Sequence, residues 1–248
     1  MIEVRNLSKS FGGHPVLDDV SFRIENGESV AIIGRSGGGK SVLLKHLIGL
    51  LQPDAGDVLI DGESIVAMDE RQLLRVRRKF GMVFQGAALF DSMTVAENVA
   101  FGLRRHEHLT EAEIAGRVAG VLDVVGLAGT QDKKPAELSG GMRKRAGLAR
   151  AVIYEPQIVL YDEPTTGLDP IVSDSIDKLM VQVRDRFKVT TVVVTHDMRT
   201  AQRVGQRVLM LHEGRMYANS PADVFFGSTD PVVRQFIDGV ADAKEFLI

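Results

Sequence analysis

A glycine-rich segment that ends in a lysine and a serine has the composition and spacing of a phosphate-binding loop. It fits the pattern G-x-x-x-x-G-K-[ST] in full, with Gly34, Arg35, Ser36, Gly37, Gly38, Gly39, Lys40 and Ser41. Glycines let a backbone wrap closely around phosphate, and the amides of a following helix attract the negative charge. We expect Lys40 to contact the β- and γ-phosphates of a nucleotide and the Ser41 hydroxyl to ligate Mg²⁺.

Two adjacent acids follow an apolar segment further along the chain. The sequence Ile-Val-Leu-Tyr at residues 158–161 is followed by Asp162 and Glu163. Asp162 is expected to hold Mg²⁺, directly or through water, and Glu163 to take a proton from the attacking water or to orient it. An ordinary solvated strand end would have the same composition, but the phosphate loop upstream favours the catalytic interpretation.

Short apolar segments rich in β-branched residues must position these groups. Residues 158–161 and 189–194 are typical of strands buried on both faces of a parallel sheet, and alternating strands and helices predict an α/β core. Two turn dipeptides, Asn26-Gly27 and Asp61-Gly62, each predict a hairpin between the strands that flank it. Thr110 and Glu113 form a capping-box pattern, and a helical face follows it with Ile114, Val118, Val121, Leu122 and Val125.

A second anion-binding pattern precedes the acidic pair. Ser139, Gly140 and Gly141 would stand at a helix N-terminus, where a hydroxyl and free amides can bind phosphate. With Leu138 and Met142 they resemble the signature sequence of ATP-binding cassette (ABC) ATPases, although Met142 stands where Gln is more usual. In that family the signature of one protomer covers the ATP bound by the phosphate loop of the other. The resemblance therefore implies a homodimer that binds ATP and Mg²⁺.

Further family landmarks follow in order over about residues 1 to 220. The resemblance makes Phe11 the aromatic that stacks on adenine, Gln85 the loop glutamine that senses Mg²⁺ and water, and His196 the histidine that contacts the γ-phosphate. Asp169 belongs to the loop that crosses the dimer interface. Each residue alone would more often be structural, but the order of all of them supports the family.

The implied fold is α/β: a P-loop NTPase of the ABC nucleotide-binding type, with a RecA-like core and an N-terminal antiparallel β-subdomain. We expect an ABC ATPase domain at residues 1–220, with a helical subdomain inserted at about 87–155. Residues 221–248 form a C-terminal extension. In it Asp230-Pro231 predicts a helix start, with Val232, Val233, Phe236, Ile237 and Val240 on one face. That face packs on its own domain or contacts a second protomer or a regulatory subunit.

Three segments resemble a narrower group, the ATPases of bacterial Mla-type, MCE-linked phospholipid transport systems. They are residues 34–45, 86–95 and 139–145. The resemblance implies a transmembrane permease, an MCE-domain lipid-binding protein and, in many cases, a small STAS-domain subunit as partners. Phe90, Asp91, Met93 and Val95 would then line a groove for the permease; the alternative is that the apolar residues among them pack the helical subdomain. Another ABC importer, for amino acids or ions, and a soluble single-cassette ABC ATPase remain alternatives.

Composition agrees with an enzyme that docks onto a membrane partner. The formal net charge is -3, which gives no bulk attraction to nucleic acid, and with no cysteine there is neither a disulfide framework nor a thiolate metal site. No apolar segment approaches the roughly 18 residues that span a bilayer, and the first residues lack the apolar stretch of a secretory signal. We expect a peripheral protein at the cytoplasmic face of the inner membrane.

Overall fold

The structure, a computed structural model, describes residues 1–106 and 108–240. Strands and helices alternate through most of the chain. In order they are β1 (Ile2–Phe11), β2 (His14–Ile24), β3 (Ser29–Gly34), α1 (Lys40–Leu47), β4 (Ala55–Ile60), β5 (Glu63–Ser64), α2 (Glu70–Arg77), β6 (Phe80–Val83), α3 (Val95–His106), α4 (Glu111–Val124), a 3-10 turn (Pro135–Glu137), α5 (Gly140–Val152), β7 (Ile158–Asp162), α6 (Pro170–Phe187), β8 (Thr190–Thr195), α7 (Met198–Val204), β9 (Arg207–His212), β10 (Arg215–Pro221), α8 (Ala222–Phe226) and α9 (Pro231–Asp238).

Within the described residues the strands form two sheets, which confirms the α/β expectation. The larger has the order β10-β9-β3-β8-β7-β6 and is parallel from β9 to β6, with β10 antiparallel at its edge. The smaller has the order β2-β1-β4-β5 and is antiparallel. The carboxyl ends of β3, β7 and β8 therefore meet at one edge of the larger sheet, where ligands bind in open α/β sheets.

The central strands are buried on both faces, as their apolar composition predicts. In β3, Ala31 and Ile33 pack into one hydrophobic cluster together with helices α3, α4, α5 and α6. Val30 and Ile32 point the other way into a second cluster with α1 and the antiparallel sheet. The carboxyl ends of these strands are consequently held by two hydrophobic cores rather than one.

Of the two predicted hairpins, one is confirmed and one is wrong. Ile60 pairs with Glu63 across Asp61-Gly62, and both loop residues have positive φ, 54° and 85°, as a type I′ turn requires. Across Asn26-Gly27 no such pairing forms, because β2 pairs with β1 whereas β3 lies between β8 and β9 in the other sheet. The turn is real, with φ 77° at Gly27, but it carries the chain from one sheet to the other.

Residues 87–155 contain α3, α4, the 3-10 turn and α5, and strand residues are absent from the described part of that segment. The capping box is confirmed, since Glu113 N donates to Thr110 Oγ1 at 3.3 Å and Thr110 N donates to Glu113 Oε2 at 2.7 Å. The predicted face of α4 is buried in the first cluster. No helix among the described residues is long and apolar enough to cross a membrane.

The C-terminal helix starts where the sequence predicts. The Asp230 carboxylate accepts from the amides of Val232 and Val233 at 2.9 and 3.0 Å, and Val233 is buried against the domain's own core. Val240 does not share this face: α9 ends at Asp238 because Gly239 adopts a left-handed conformation with φ 65°, and Val240 is 62% exposed. The end of the predicted extension, residues 241–248, lies outside the described residues.

Candidate active site

The phosphate loop connects the end of β3 to the start of α1. Gly37 and Gly39 have φ of 77° and 88°, and a Cβ on Gly39 would stand 2.8 Å from the Val16 carbonyl oxygen. Only glycine is therefore compatible with this path. As the N-cap of α1, Gly39 offers no side-chain acceptor, so the first amides of the helix remain available to an anion.

Lys40 points back into the loop. Its side chain is 6% exposed, and Nζ donates to the carbonyl oxygens of Gly34 and Arg35 at 2.8 and 2.9 Å. Nζ also lies 3.9 Å from Glu163 Oε1. Burial lowers the pKa of Lys40, and the carboxylates of Glu163 and Asp162 oppose that shift. The loop thus holds one ammonium group where a bound polyphosphate would need it.

Ser41 and Asp162 lie at facing ends of α1 and β7. Ser41 Oγ donates to Asp162 Oδ1 at 3.1 Å. Burial raises the pKa of Asp162, while the bond from Ser41 and the nearby lysines lower it. Among the described residues no three His, Cys, Asp or Glu side chains cluster as a metal site. A hydroxyl and a single carboxylate fit Mg²⁺, which binds through one or two protein oxygens together with phosphates and water.

Glu163 leaves β7 with φ 50°, a left-handed conformation unusual for a non-glycine residue. Its amide donates to the Val194 carbonyl of β8 at 2.9 Å, which fixes the turn. Oε2 accepts from Thr166 Oγ1 at 3.1 Å and lies 2.8 Å from His196 Nδ1. The carboxylate is therefore oriented by two side chains while Oε1 faces Lys40.

A cavity of about 280 Å³ brings eight of the sequence-predicted residues together. Its lining includes Ser36, Gly37, Gly39, Lys40, Ser41, Gln85, Glu163 and His196. Thr166 also lines the cavity, and the sequence did not identify it as functional. Its position three residues after Glu163 was the available signal, because that spacing allows a turn in which the hydroxyl reaches the carboxylate.

Phe11 stands at the end of β1, opposite His14, with its side chain 48% exposed. Lys9 Nζ lies 5.6 Å from the centre of its ring. The same strand pair passes the phosphate loop at Val16, whose carbonyl closely approaches Gly39. Phe11 is thus an exposed aromatic on the strand pair beside the loop, although it does not line the cavity.

The signature residues lie elsewhere. Ser139 is the exposed N-cap of α5, and its Oγ accepts from Met142 N at 3.3 Å. A Cβ on Gly140 would meet Leu168, and one on Gly141 would meet Val172 at 2.7 Å. The signature turn therefore packs against the loop that contains Asp169 and does not line the phosphate-loop cavity.

Asp169 has a structural contact of its own. Its Oδ1 accepts from the amides of Ile171 and Val172, both at 3.0 Å, and so caps α6. Ile171, in the first turn of that helix, is 82% exposed. The loop at residues 167–169 consequently carries a rigid cap beside an exposed apolar residue, next to the signature turn.

Beneath that loop lies a second cavity of about 380 Å³ that shares Thr166 and His196 with the first. Asp177 of α6 lines it and is 2% exposed. Burial raises the pKa of Asp177 to about 6, although Thr200 and Arg203 oppose the shift. Thr200 Oγ1 donates to Asp177 Oδ1 at 2.9 Å and lies 3.3 Å from Thr165 Oγ1. The sequence did not indicate this network.

The fold and site define a P-loop nucleotide-binding protein, and comparison with known proteins gives the family. Residues 17–166 match the sequence profile of the ABC transporter family. Because this match covers more than half of the chain, the protein belongs to the ABC transporter ATPases, the ATP-binding and ATP-hydrolysing cassettes. The sequence-based identification of the family is confirmed.

Similar proteins come from bacteria and from a plant. A Mycobacterium leprae protein named probable ribonucleotide transport ATP-binding protein mkl is 44% identical over 96% of this chain and 69% of its own length. The chloroplastic TRIGALACTOSYLDIACYLGLYCEROL 3 of Arabidopsis thaliana is 43% identical over 98% of this chain and 74% of its own length. The Escherichia coli K12 intermembrane phospholipid transport system ATP-binding protein MlaF is 39% identical, covering 98% and 90%.

Solved structures agree with the fold. A dimeric ATP-binding cassette in a post-hydrolysis state with ADP and Pi superposes with a TM-score of 0.82 at 33% identity, over 90% of this chain and 99% of that one. CbiO1 from Clostridium perfringens, part of an ABC transporter complex, gives a TM-score of 0.85 at 30% identity, covering 94% and 93%.

Proposed function

We propose that this ATPase powers phospholipid transfer between the inner and outer membranes as a homodimer bound to a permease. The cavity that joins Lys40, Glu163 and His196 is the observation that carries the ATPase part. The phospholipid part is supported by the intermembrane phospholipid transport ATPase of Escherichia coli, which this chain matches over 90% of that protein's length.

In the proposed mechanism Glu163 Oε1 accepts a proton from the attacking water. His196 and Thr166 hold the other carboxylate oxygen at 2.8 and 3.1 Å, so the base is oriented before the nucleotide binds. Lys40 exchanges its carbonyl partners for phosphate oxygens and balances charge on the transferred group. Phe11 packs against the adenine ring, and Gly34, Arg35, Ser36, Gly37, Gly38 and Gly39 surround the phosphates.

Mg²⁺ would be held by Ser41, Asp162 and Gln85, whose oxygens are the hard ligands that this ion prefers. When bound, the ion neutralises negative charge on the phosphate oxygens. The raised pKa of Asp162 comes first from burial, and a cation beside the carboxylate would offset that penalty.

The second half of the site comes from the partner protomer in this proposal. Ser139, Gly140 and Gly141 lie at an exposed helix N-terminus outside the cavity, and Asp169 lies in the loop beside them. A face-to-face dimer would bring this turn over the phosphates bound by the partner. Dimeric cassettes of the same fold support such an arrangement.

The permease is proposed to dock beside Gln85. Phe90 is 42% exposed and Asp91 is exposed, so both are available to a helix of a membrane partner. Val95 is not, because it is fully buried in the core; the packing alternative holds for that residue. An MCE-domain protein and a STAS-domain subunit would complete a peripheral complex at the cytoplasmic face of the inner membrane.

The test is reconstitution of the complex purified from its native membrane. The complex is placed in vesicles with labelled phospholipid, and ATP-dependent transfer to acceptor vesicles is measured with Glu163→Gln as the matched inactive control. ATP-dependent transfer that Glu163→Gln abolishes supports the proposal. Co-purification with a permease and an amino-acid-binding or ribonucleotide-binding protein, without lipid transfer, would overturn the cargo and leave the ATPase unaffected; ribonucleotide transport is named for the mycobacterial relative.

A further inference from the structure

Lys144 is a buried lysine on the signature helix, five residues after Ser139. Its side chain is 7% exposed. Nζ donates to the backbone carbonyl of Gln85 and, at 3.5 Å, to the backbone carbonyl of Glu163. One ammonium group on α5 thus contacts the two loops that carry the catalytic carboxylate and the loop glutamine.

The burial of this charge has a cost that the contacts must offset. Removing an ammonium from water is unfavourable, and here burial lowers the pKa of Lys144. Backbone carbonyls compensate partly, since hydrogen bonds from a charged donor are stronger than neutral ones. A methionine of similar length would fill the space without that cost, so packing alone does not explain a lysine.

The two acceptors belong to backbone that needs support. Glu163 has φ 50°, and Ala87 and Ala88, just after Gln85, have φ 60° and 49°. Left-handed conformations in non-glycine residues persist where the surroundings hold them. Arg150, further along α5, donates to the carbonyls of Ala87 and Ala88 at 2.9 and 2.6 Å. Two cations of one helix therefore hold the Gln85 loop, and Lys144 alone of these two also reaches Glu163.

We propose that Lys144 is a positioning residue that fixes Gln85 and Glu163 to the signature helix and so couples the two ATP sites of the dimer. The exposed end of α5 carries Ser139 toward the partner's ATP, and its buried side holds the hydrolytic groups of its own site. Through Lys144 the backbone at Gln85 and Glu163 is tied to the helix whose N-terminus faces the partner. This inference rests on the roles proposed above for Gln85, Glu163 and Ser139.

The experiment uses the complete transporter complex with Lys144→Met, Lys144→Arg and the control Lys178→Met. Lys178 lies on α6 with its side chain 71% exposed, so the control makes the same change away from the site. We expect Lys144→Met to lower kcat about tenfold while the Kd for ATP changes less than about twofold. Lys144→Arg should restore most of kcat, because its guanidinium can donate to both carbonyls, and Lys178→Met should resemble the wild type.

A double-mutant cycle separates positioning from plain stability. If Lys144 acts by placing the Gln85 side chain, Lys144→Met should cost much less kcat in a Gln85→Ala background than alone. Additive effects, or an unchanged kcat in Lys144→Met, would overturn the inference. Should Lys144→Met fail to fold, Lys144→Gln, which keeps an uncharged donor, takes its place in the same cycle and under the same criteria.

The outcomes also distinguish this inference from the proposed function. If Gln85→Ala and Glu163→Gln leave kcat unchanged, the proposed mechanism itself is wrong. If both lower kcat while Lys144→Met is additive with Gln85→Ala, only the positioning role is wrong. Non-additivity together with rescue by Lys144→Arg supports it.

Discussion

The phosphate loop and the signature turn are two anion-binding elements of one chain, and they differ in what surrounds them. The loop lies between two hydrophobic cores, and its lysine is buried beside two carboxylates. The signature turn begins a largely buried helix at an exposed N-cap, and the Ser139 hydroxyl accepts one long bond from Met142 N at 3.3 Å. In the proposed dimer, one element forms half of a site on its own, whereas the other completes the site of the second molecule.

In the proposed dimer, this difference would make hydrolysis depend on dimer closure. In the proposed mechanism Glu163 activates the water, and the chain positions its carboxylate by itself through Thr166 and His196. Ser139, Gly140 and Gly141, which would stabilise charge on the far side of the phosphates, are not among the lining residues of the cavity. In the proposed dimer, this separation of the base from the signature residues would allow each protomer to bind ATP without hydrolysing it until the partner arrives.

The largest expected effect comes from removing the base in the self-contained half. Glu163→Gln keeps the shape and the bond from Thr166 but cannot accept a proton, so kcat should fall by roughly 10²–10⁴ while ATP still binds. Steady-state ATPase activity of the complex and direct ATP titration measure the two quantities. Near-wild-type turnover would show that Glu163 is not the base and that the phosphate-loop half does not supply one.

Breaking one element in each protomer tests whether the halves complement each other. Lys40→Ala should weaken ATP binding in its own protomer, and Ser139→Arg should block closure on the partner's nucleotide. Each homodimer should be inactive. In a mixed dimer one site combines the intact phosphate loop of one protomer with the intact signature of the other. One of the two sites should therefore be complete. ATPase assays on purified, differently tagged heterodimers measure this; no recovery at all would exclude the face-to-face arrangement.

The sequence predicted the phosphate-loop half of the site well because most of that half is one continuous segment of the chain. The eight residues of the phosphate loop are contiguous, so their pattern specifies both the turn and the helix start. Ser41 and Asp162 are 121 positions apart, yet parallel strands that end at one sheet edge bring them together. The Asn26-Gly27 hairpin was wrong because turn chemistry specifies a reversal but not which strands will pair.

The sequence could not identify residues whose role depends on tertiary contacts. Lys144 and Lys178 are both helical lysines, and only the packed structure shows that the first is buried on two carbonyls whereas the second is exposed. Val240 matched the helical period of α9, but Gly239 ends that helix in a left-handed conformation. Asp177 looked like any surface acid, and its burial depends on how α6 meets α7.

Asp177 lines the cavity beneath the Asp169 loop, and its ionisation should affect the stability of the fold. Its pKa is raised to about 6 from 3.8, so the folded state binds the proton more tightly than the unfolded chain does. This group therefore lowers stability as pH rises from about 4 to 6, and the penalty persists above that range. Asp177→Asn should raise the free energy of unfolding at pH 7.5 by on the order of 3 kcal/mol.

Thermal unfolding of the purified ATPase at several pH values measures this effect. The gain from Asp177→Asn should shrink as pH falls toward 4, where the wild-type carboxyl is protonated in both states. Asp174→Asn on the same helix is the matched control, because ion pairs with Lys178 and Arg203 lower the pKa of Asp174. A destabilised Asp177→Asn protein at pH 7.5 would show that the ionised form is the one that the Thr165 and Thr200 network requires.

The smallest expected effects on stability come from the two helix caps of the exposed half, and they separate capping from phosphate binding. Asp169 accepts hydrogen bonds from two amides at 3.0 Å, so Asp169→Ala should cost about 1–2 kcal/mol of stability. Ser139→Ala loses one long hydrogen bond and should cost about 0.5 kcal/mol.

Ser139→Asp restores a good cap but places a negative charge toward the partner's phosphates. If Ser139 only caps α5, Ser139→Asp keeps both the melting temperature and ATPase activity of the complex. If Ser139 donates to the partner's ATP, the melting temperature stays the same and ATPase activity is lost. We expect this second outcome, because the new carboxylate faces the partner's phosphates.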